Sequence, residues 1–358
     1  MRYVLLGRSG LRVSELCLGT MTFGNEWGWG AEKDDSRRMY DAFRDAGGNF
    51  IDTANLYTNG TSEKFLGEFM TGHRESVVLA TKYTNAAPGA DPNAAGNQRK
   101  NMVQACEASL KRLKTDYIDL YWLHIWDRLT PAEEVMRAFD DLVRQGKVLY
   151  TGVSDAAAWW ISRANAIAEL RGWSPFVALQ IEWNLIERTV ERELIPMAEA
   201  LGLAITPWSP LASGILTGKY TNRDGSPKKQ SGEGGRMDQQ GMEEGFGKMT
   251  PQKHAIAKAV MDVAAETGKS AAQVALNWLR AKSGRVPVIP IIGARKVSQF
   301  EDNMKCLEWR LSPEQVKRLD DVSAIEHGFP TEFLNRPMVS GFIYGGTKDK
   351  IDATWGVA

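Results

Sequence analysis

The strongest constraint on this chain is an alternation that keeps repeating: a short apolar run, then a longer segment whose apolar residues recur at helical spacing. Residues 3–6 and 11–16, joined by the turn-like Gly7-Arg8-Ser9-Gly10, read first as a β-hairpin. Strands are then expected at 16–20, 49–54, 77–82, 117–124, 148–154, 176–182, 203–209 and 286–292. Helices are expected between them at 34–46, 61–70, 98–113, 132–144, 156–170 and 189–201, with 251–267 and 271–282 before the last strand and 297–306 and 313–324 after it. Their ends carry the expected signals: Asp34 and Asp35 at the first start, Gly47-Gly48 at its stop, Pro131 and Gly146 around the fourth. Eight strand–helix units without a break in composition predict a closed (β/α)8 TIM barrel rather than a doubly wound sheet, with the hairpin plugging the bottom.

The 358 residues fit one such unit, because α/β barrels routinely exceed ~200 residues as a single domain. A single domain over 1–358 is expected. The stretch 210–250 is rich in Gly, Lys and Ser and far longer than an ordinary connection, so it reads as a functional loop. The tail 326–358 shows no clear periodicity. Lys plus Arg and Asp plus Glu stand at 44 each, and no basic block argues for nucleic acid or an anionic membrane surface. Cys17, Cys106 and Cys306 are odd in number and far apart, which argues against a disulfide framework and a zinc site and for packing in a reducing cytosol. The N-terminal apolar run is too short for a signal peptide, and no stretch reaches transmembrane length, so a cytoplasmic protein is expected.

Barrel sites gather at the C-terminal ends of the strands, and side chains alternate inside and outside along each strand. On that rule three neighbouring strands end on ionisable groups: Asp52 in register with Phe50, Lys82 with Val78 and Ala80, His124 with Leu120 and Trp122. Each alone has a plain structural reading, as a buried carboxylate, its salt-bridge partner and a satisfied imidazole. Together with Tyr57 they suggest chemistry. Lys82 neutralises Asp52, and an ammonium beside Tyr57 is expected to lower the phenol pKa, which is ~10 in model peptides. Tyr57 and a neutral His124 would then hold and protonate an alkoxide as it forms.

The motifs FIDTANLY, VVLATKY, LYWLH, GVS, LQIEWN, ITPWSPLASGILTGKY and PIIGARKVSQFEDN occur in this order and spacing. In them the chain resembles the aldo-keto reductase superfamily over residues 1 to about 325, and more narrowly its bacterial branch that includes the potassium-channel β subunits. The resemblance implies a tetrad of Asp52, Tyr57, Lys82 and His124, with Tyr57 as general acid/base, Lys82 and Asp52 tuning it, and His124 orienting substrate. Those β subunits commonly carry asparagine at the His124 position, so the chain looks closer to the working enzymes.

No GxGxxG follows the first strand, as a Rossmann site would require. The resemblance instead implies NADPH extended across the barrel mouth. It implies Trp208 stacked on the nicotinamide, with Ser154, Gln180 and residue 155 on its carboxamide, and Thr20, Met21 and Asp52 close by. Position 155 departs from the branch: it is usually asparagine and here is Asp155, which accepts from the carboxamide but cannot donate to it. Ser209, Pro210, Leu211, Ser213, Gly214 and Lys219 form a segment suited to a pyrophosphate. Gly293, Arg295, Gln299, Asp302 and Asn303 match the family's adenosine-phosphate motif, and the resemblance implies Arg295 on the 2′-phosphate, with Arg236 in the long loop as a second contact.

Trp27, Trp29 and Trp126, with Tyr57 and His124, are expected to wall a substrate pocket, and Phe329, Phe333 and Trp355 of the tail are further candidates. The expected function is reversible reduction of an aldehyde or ketone, with no metal, no nucleic-acid or membrane partner, and a homo-oligomer left open. Two alternatives are an NADPH-binding regulatory subunit with slow turnover and an aldolase using Lys82 as a Schiff base, the latter disfavoured by the pairing of Lys82 to Asp52.

Overall fold

A computed structural model describes residues 1–87, 89, 91–228 and 249–351. The hairpin pairs β1 (Tyr3–Leu5) with β2 (Arg12–Ser14) antiparallel. Eight parallel strands follow: β3 (Cys17–Gly19), β4 (Phe50–Asp52), β5 (Val78–Tyr83), β6 (Ile118–Leu123), β7 (Val148–Ser154), β8 (Phe176–Glu182), β9 (Ala204–Trp208) and β10 (Ile291–Ile292). From β3 to β9 each pairs with the next in sequence, and β10 pairs back to β3 through Ile291 opposite Cys17 and Ile292 opposite Leu18. Around them run α1 (Lys33–Asp45), α2 (Thr61–Phe69), α3 (Arg99–Leu113), α4 (Ala132–Arg144), α5 (Ala158–Arg171) and α6 (Leu194–Leu201). Then come α7 (Pro251–Thr267), α8 (Ala271–Ala281), α9 (Val297–Met304) and α10 (Pro313–Val322). The molecule is a (β/α)8 TIM barrel.

Inside the barrel, Phe50, Val78, Ala80, Leu120, Trp122, Ala178, Ala204 and Ile289 form one apolar cluster with Leu6 and Val13, so the hairpin closes the bottom with its own side chains. The Trp122 indole fills the place where a side chain would stand on β7: a Cβ at Gly152 would lie 2.3 Å from Trp122 Cε3. Between the strands and the helices lies a second packing layer, which includes Tyr83, Tyr121, Phe139 and Phe176. Cys17, Cys106 and Cys306 are buried and unpaired.

Two expected elements come out shorter. The helix expected over 189–201 is a 3-10 turn over Thr189–Arg192 followed by α6, because Pro196 has no N–H for the Arg192 carbonyl and its ring would clash with that carbonyl. The strand expected over 286–292 keeps regular pairing only at β10. Pro287 and Pro290 remove two donors, and β9 meets this stretch through an isolated bridge, Ile205 opposite Val288, with Ile205 N–H to the Pro287 carbonyl at 2.9 Å and Ile289 N–H to the Ile205 carbonyl at 2.8 Å. The tail also folds into short helices, α11 (Thr331–Leu334) and α12 (Pro337–Tyr344). Among the described residues no helix is long and apolar enough to cross a membrane.

Candidate active site

The parallel register brings the strand-end side chains onto one rim. Asp52 lies opposite Ala80 and Lys82 opposite Trp122, so Lys82 rises one inward position above Asp52. Both are buried, and the Lys82 ammonium is paired with the Asp52 carboxylate. Its other two hydrogen bonds run to the Thr53 carbonyl at 2.8 Å and the Tyr57 hydroxyl at 3.2 Å. Three N–H donors therefore meet three acceptors. Burial pulls the Lys82 pKa down, but Asp52 and Tyr57 more than offset this and the net direction is up, so the amine stays charged. The Gln180 amide donates to the second Asp52 oxygen at 3.0 Å and completes the carboxylate's surroundings.

Tyr57 opens a turn in which Thr58, Asn59 and Gly60 all take positive φ, at 47°, 54° and 88°. A β-branched residue rarely adopts that region, and here the Thr58 hydroxyl holds the turn by donating to the Phe23 carbonyl at 2.6 Å. The phenol was expected to titrate below its ordinary value beside Lys82; the structure gives the opposite direction. Burying a phenolate raises the pKa by more than Lys82 lowers it, and Asp52 cancels part of the ammonium's attraction. Tyr57 is thus held protonated at neutral pH. Its ring meets His124 edge to face, centroids 5.9 Å apart at 82°. Burial, then Lys82, pushes the His124 pKa well below its ordinary value, and the imidazole is neutral. The Asn85 amide nitrogen lies 3.2 Å from His124 Nδ1; as the donor of that bond it assigns the remaining proton to Nε2. Sequence reasoning missed Asn85. Its signal is its place in the loop just beyond the end of β5.

A cavity of about 610 Å³ extends from Tyr57 and His124 past Ser154, Asp155, Gln180 and Trp208 to Arg295, Gln299 and Asn303. Thr20, Met21, Asp52, Ser209, Pro210, Leu211, Ser213, Gly214, Lys219, Gly293 and Asp302 also line it, as does Trp29. Every expected cofactor residue within the described chain therefore faces one space; Arg236 and Trp355 lie outside the described residues. Trp27 is not among the lining residues but packs edge to face on Tyr57 at 6.3 Å. Trp126 is not brought to the cavity: it packs against Trp159 and Trp160, with centroids 5.5 and 5.7 Å away. Phe329 and Phe333 stack on each other away from the cavity and are exposed. Sequence reasoning also missed Ser270 to Ala272 at the start of α8, which line the far end.

The lining suits an extended dinucleotide. Ser154 and Ser213 each bury a hydroxyl with no hydrogen-bond partner among the described residues. Between Ser209 and Gly218 the backbone turns through positive φ at Ser209, Ala212, Ser213, Gly214 and Gly218, which leaves main chain facing the space where an anionic bridge would pass. At Gly293 a Cβ would lie 2.9 Å from the Gly19 carbonyl oxygen, so only glycine fits. The Asp302 carboxylate is already bonded to Ser270 at 2.6 Å and Gln273 at 2.7 Å, so it braces α8 against α9. Among the described residues no cluster of His, Cys, Asp or Glu could hold a metal ion.

Comparison with known proteins agrees with this geometry. Residues 15–324 match the model of the aldo/keto reductase family. The chain is 42% identical to an aryl-alcohol dehydrogenase [NADP(+)] of Phanerodontia chrysosporium over 90% of its length and 85% of that protein's. It is 38% identical to norsolorinic acid reductase A of Aspergillus parasiticus, covering 92% of this chain and 83% of that one. It is 36% identical to a putative aryl-alcohol dehydrogenase of Saccharomyces cerevisiae, covering 92% and 89%. These relatives are fungal and do not single out the bacterial and channel-subunit branch.

Proposed function

Because the chain belongs to the aldo/keto reductase family, we propose that it is an NADPH-dependent carbonyl reductase that also runs toward alcohol oxidation. The observation that carries this reading is a set of four groups at one end of an elongated cavity: a buried, charged lysine matched to a buried aspartate, and a protonated tyrosine and a neutral histidine that are half-buried in its wall. NADPH, when bound, supplies the hydride that reaches the carbonyl carbon. Tyr57 donates its proton to the oxygen, and Lys82, held by Asp52, stabilises the phenolate left behind. His124 donates from Nε2 to the same oxygen and fixes its position. Ser154, Gln180 and Trp208 hold the nicotinamide end, the turn from Ser209 to Lys219 the pyrophosphate, and Arg295, Gln299 and Asn303 the adenosine phosphate. The chain works as one barrel domain; of the expected cofactor-clasping loop 210–250, residues 229–248 lie outside the described residues.

The relatives' names favour an aromatic carbonyl or benzylic alcohol as substrate, and the Trp29 indole, which lines the cavity and packs on Trp27, suits such a ring. Lys82 is unsuited to Schiff-base chemistry because it is charged and all three of its donors are engaged. The deciding experiment follows NADPH absorbance with an activated benzaldehyde. Wild type turns over; Tyr57→Phe loses about 10²- to 10⁴-fold in kcat while NADPH still binds. No turnover in wild type would leave the regulatory-subunit reading standing, and full activity in Tyr57→Phe would remove it as the acid. Arg295→Ala weakens NADPH by about tenfold or more, since a hydrogen bond to a charged group contributes ~1.5–3 kcal/mol, and leaves NADH little changed.

A further inference from the structure

The aspartate after β7 is held from several sides. Asp155 has φ 44°, in the left-handed region that Asp and Asn tolerate better than other side chains. Its N–H donates to the Gln180 carbonyl at 3.3 Å, its carbonyl accepts from the Trp126 N–H at 3.3 Å, and its Oδ1 accepts the Trp208 indole N–H at 3.1 Å. The carboxylate thus stands in the cavity wall between Ser154 and Trp208, at the end that holds Tyr57 and His124. Lys82 acts on it electrostatically but directs its hydrogen bonds to Asp52, Thr53 and Tyr57.

A carbonyl whose oxygen lies between Tyr57 and His124 places the ring that exchanges hydride at this same end. That ring is neutral when reduced and carries a positive charge when oxidised. An anion in the wall therefore interacts with one state far more than with the other, in a water-poor site where the attraction is weakly screened. Resting on the cofactor reading above, we propose that Asp155 sets the preference between the two cofactor states: its carboxylate binds NADP+ more tightly than NADPH, which makes bound NADPH the stronger hydride donor and poises the bound pair toward carbonyl reduction. Asparagine would accept the indole N–H just as well and carry no charge. The difference is one of charge alone.

Burial raises the Asp155 pKa to about 6, with the Trp208 bond acting against it. The preference is therefore full above that value and fades below it. The other titratable groups at this end are Asp52, Tyr57, Lys82 and His124, with Glu182 at the end of β8, itself raised to about 7 by burial and then by Glu187. Substituting residue 155 isolates its share from theirs.

The test titrates NADP+ and NADPH separately into the apo protein, by tryptophan fluorescence, at pH 8 and pH 5. Their ratio of affinities is read for wild type, Asp155→Asn and Trp208→Phe. The 2′-phosphate is common to both ligands and cancels in the ratio. At pH 8, Asp155→Asn is expected to weaken NADP+ by about tenfold and to leave NADPH within about twofold, on the scale of a nearby charge pair in a partly dry site. At pH 5 the two proteins converge. Trp208→Phe keeps the carboxylate and is expected to hold the wild-type ratio even as both affinities fall. Equal loss of NADP+ and NADPH in Asp155→Asn overturns the proposal, as does a ratio change in Trp208→Phe as large as that in Asp155→Asn. If wild type binds neither nucleotide, the cofactor reading falls and this proposal with it.

Discussion

At the scale of the residue, the pairing of Asp52 with Lys82 was legible because both end strands in the inward register, and a buried carboxylate requires a cation. The direction of the Tyr57 pKa was not legible. It depends on how completely the phenol is buried, which no local pattern records, and burial outweighs the ammonium. Asn85 was missed for a related reason: its bond to His124 depends on how the chain leaves β5, and asparagine in a polar loop is unremarked. Asp155 carries a stability consequence of its own. Its folded pKa of about 6 lies above the unfolded ~3.9, so the stability it contributes is full below pH ~4 and lost as pH rises through 6. In the apo protein, Asp155→Asn should therefore be more stable than wild type at pH 8, by ~2–3 kcal/mol, with the gap closing toward pH 4. Urea denaturation at the two pH values reads this directly; a constant gap would mean that the carboxylate is not the source.

At the scale of the element, strands and helices followed from periodicity except where proline intervened. Pro196 shortens α6, and Pro287 with Pro290 reduces the last strand to a two-residue β10. In both cases the apolar pattern is present but the backbone lacks a donor, so hydrophobic spacing alone overstates the element. Gly152 shows the converse. Its place inside β7 looks like a weak point in a strand, yet the Trp122 indole from β6 occupies the space above it. Gly152→Ala should cost about 1–3 kcal/mol, because the indole must leave its rotamer or the strands must part. Because β7 ends in Ser154, the same change should weaken nucleotide binding. Denaturant unfolding with and without NADP+ separates the two effects, and an unaltered midpoint would show that the indole can move freely.

At the scale of the whole molecule, the eightfold alternation was enough to specify a barrel, but not how evenly it closes. From β5 to β9 neighbours share continuous ladders, with one register shift between Thr151 and Gly152 where β7 meets β8; β8 and β9 pair over five consecutive positions, from Ala178 opposite Ala204 to Glu182 opposite Trp208. The seam between β9 and the proline-bearing stretch rests on a single bridge at Ile205. Above it, Trp208 to Lys219 stands on one lip of the cavity and Gly293 to Asn303 on the other. The barrel is therefore like a cask with one loosely jointed stave, and a nucleotide laid across both lips acts as its hoop. In the free protein the Ile205 and Ile289 amides should exchange with solvent faster than those of β6 and β7, and NADP+ should slow them most. Filling the site and shutting the cask then become a single event, so a chain that has lost its nucleotide is also the one most open to unravelling along that joint.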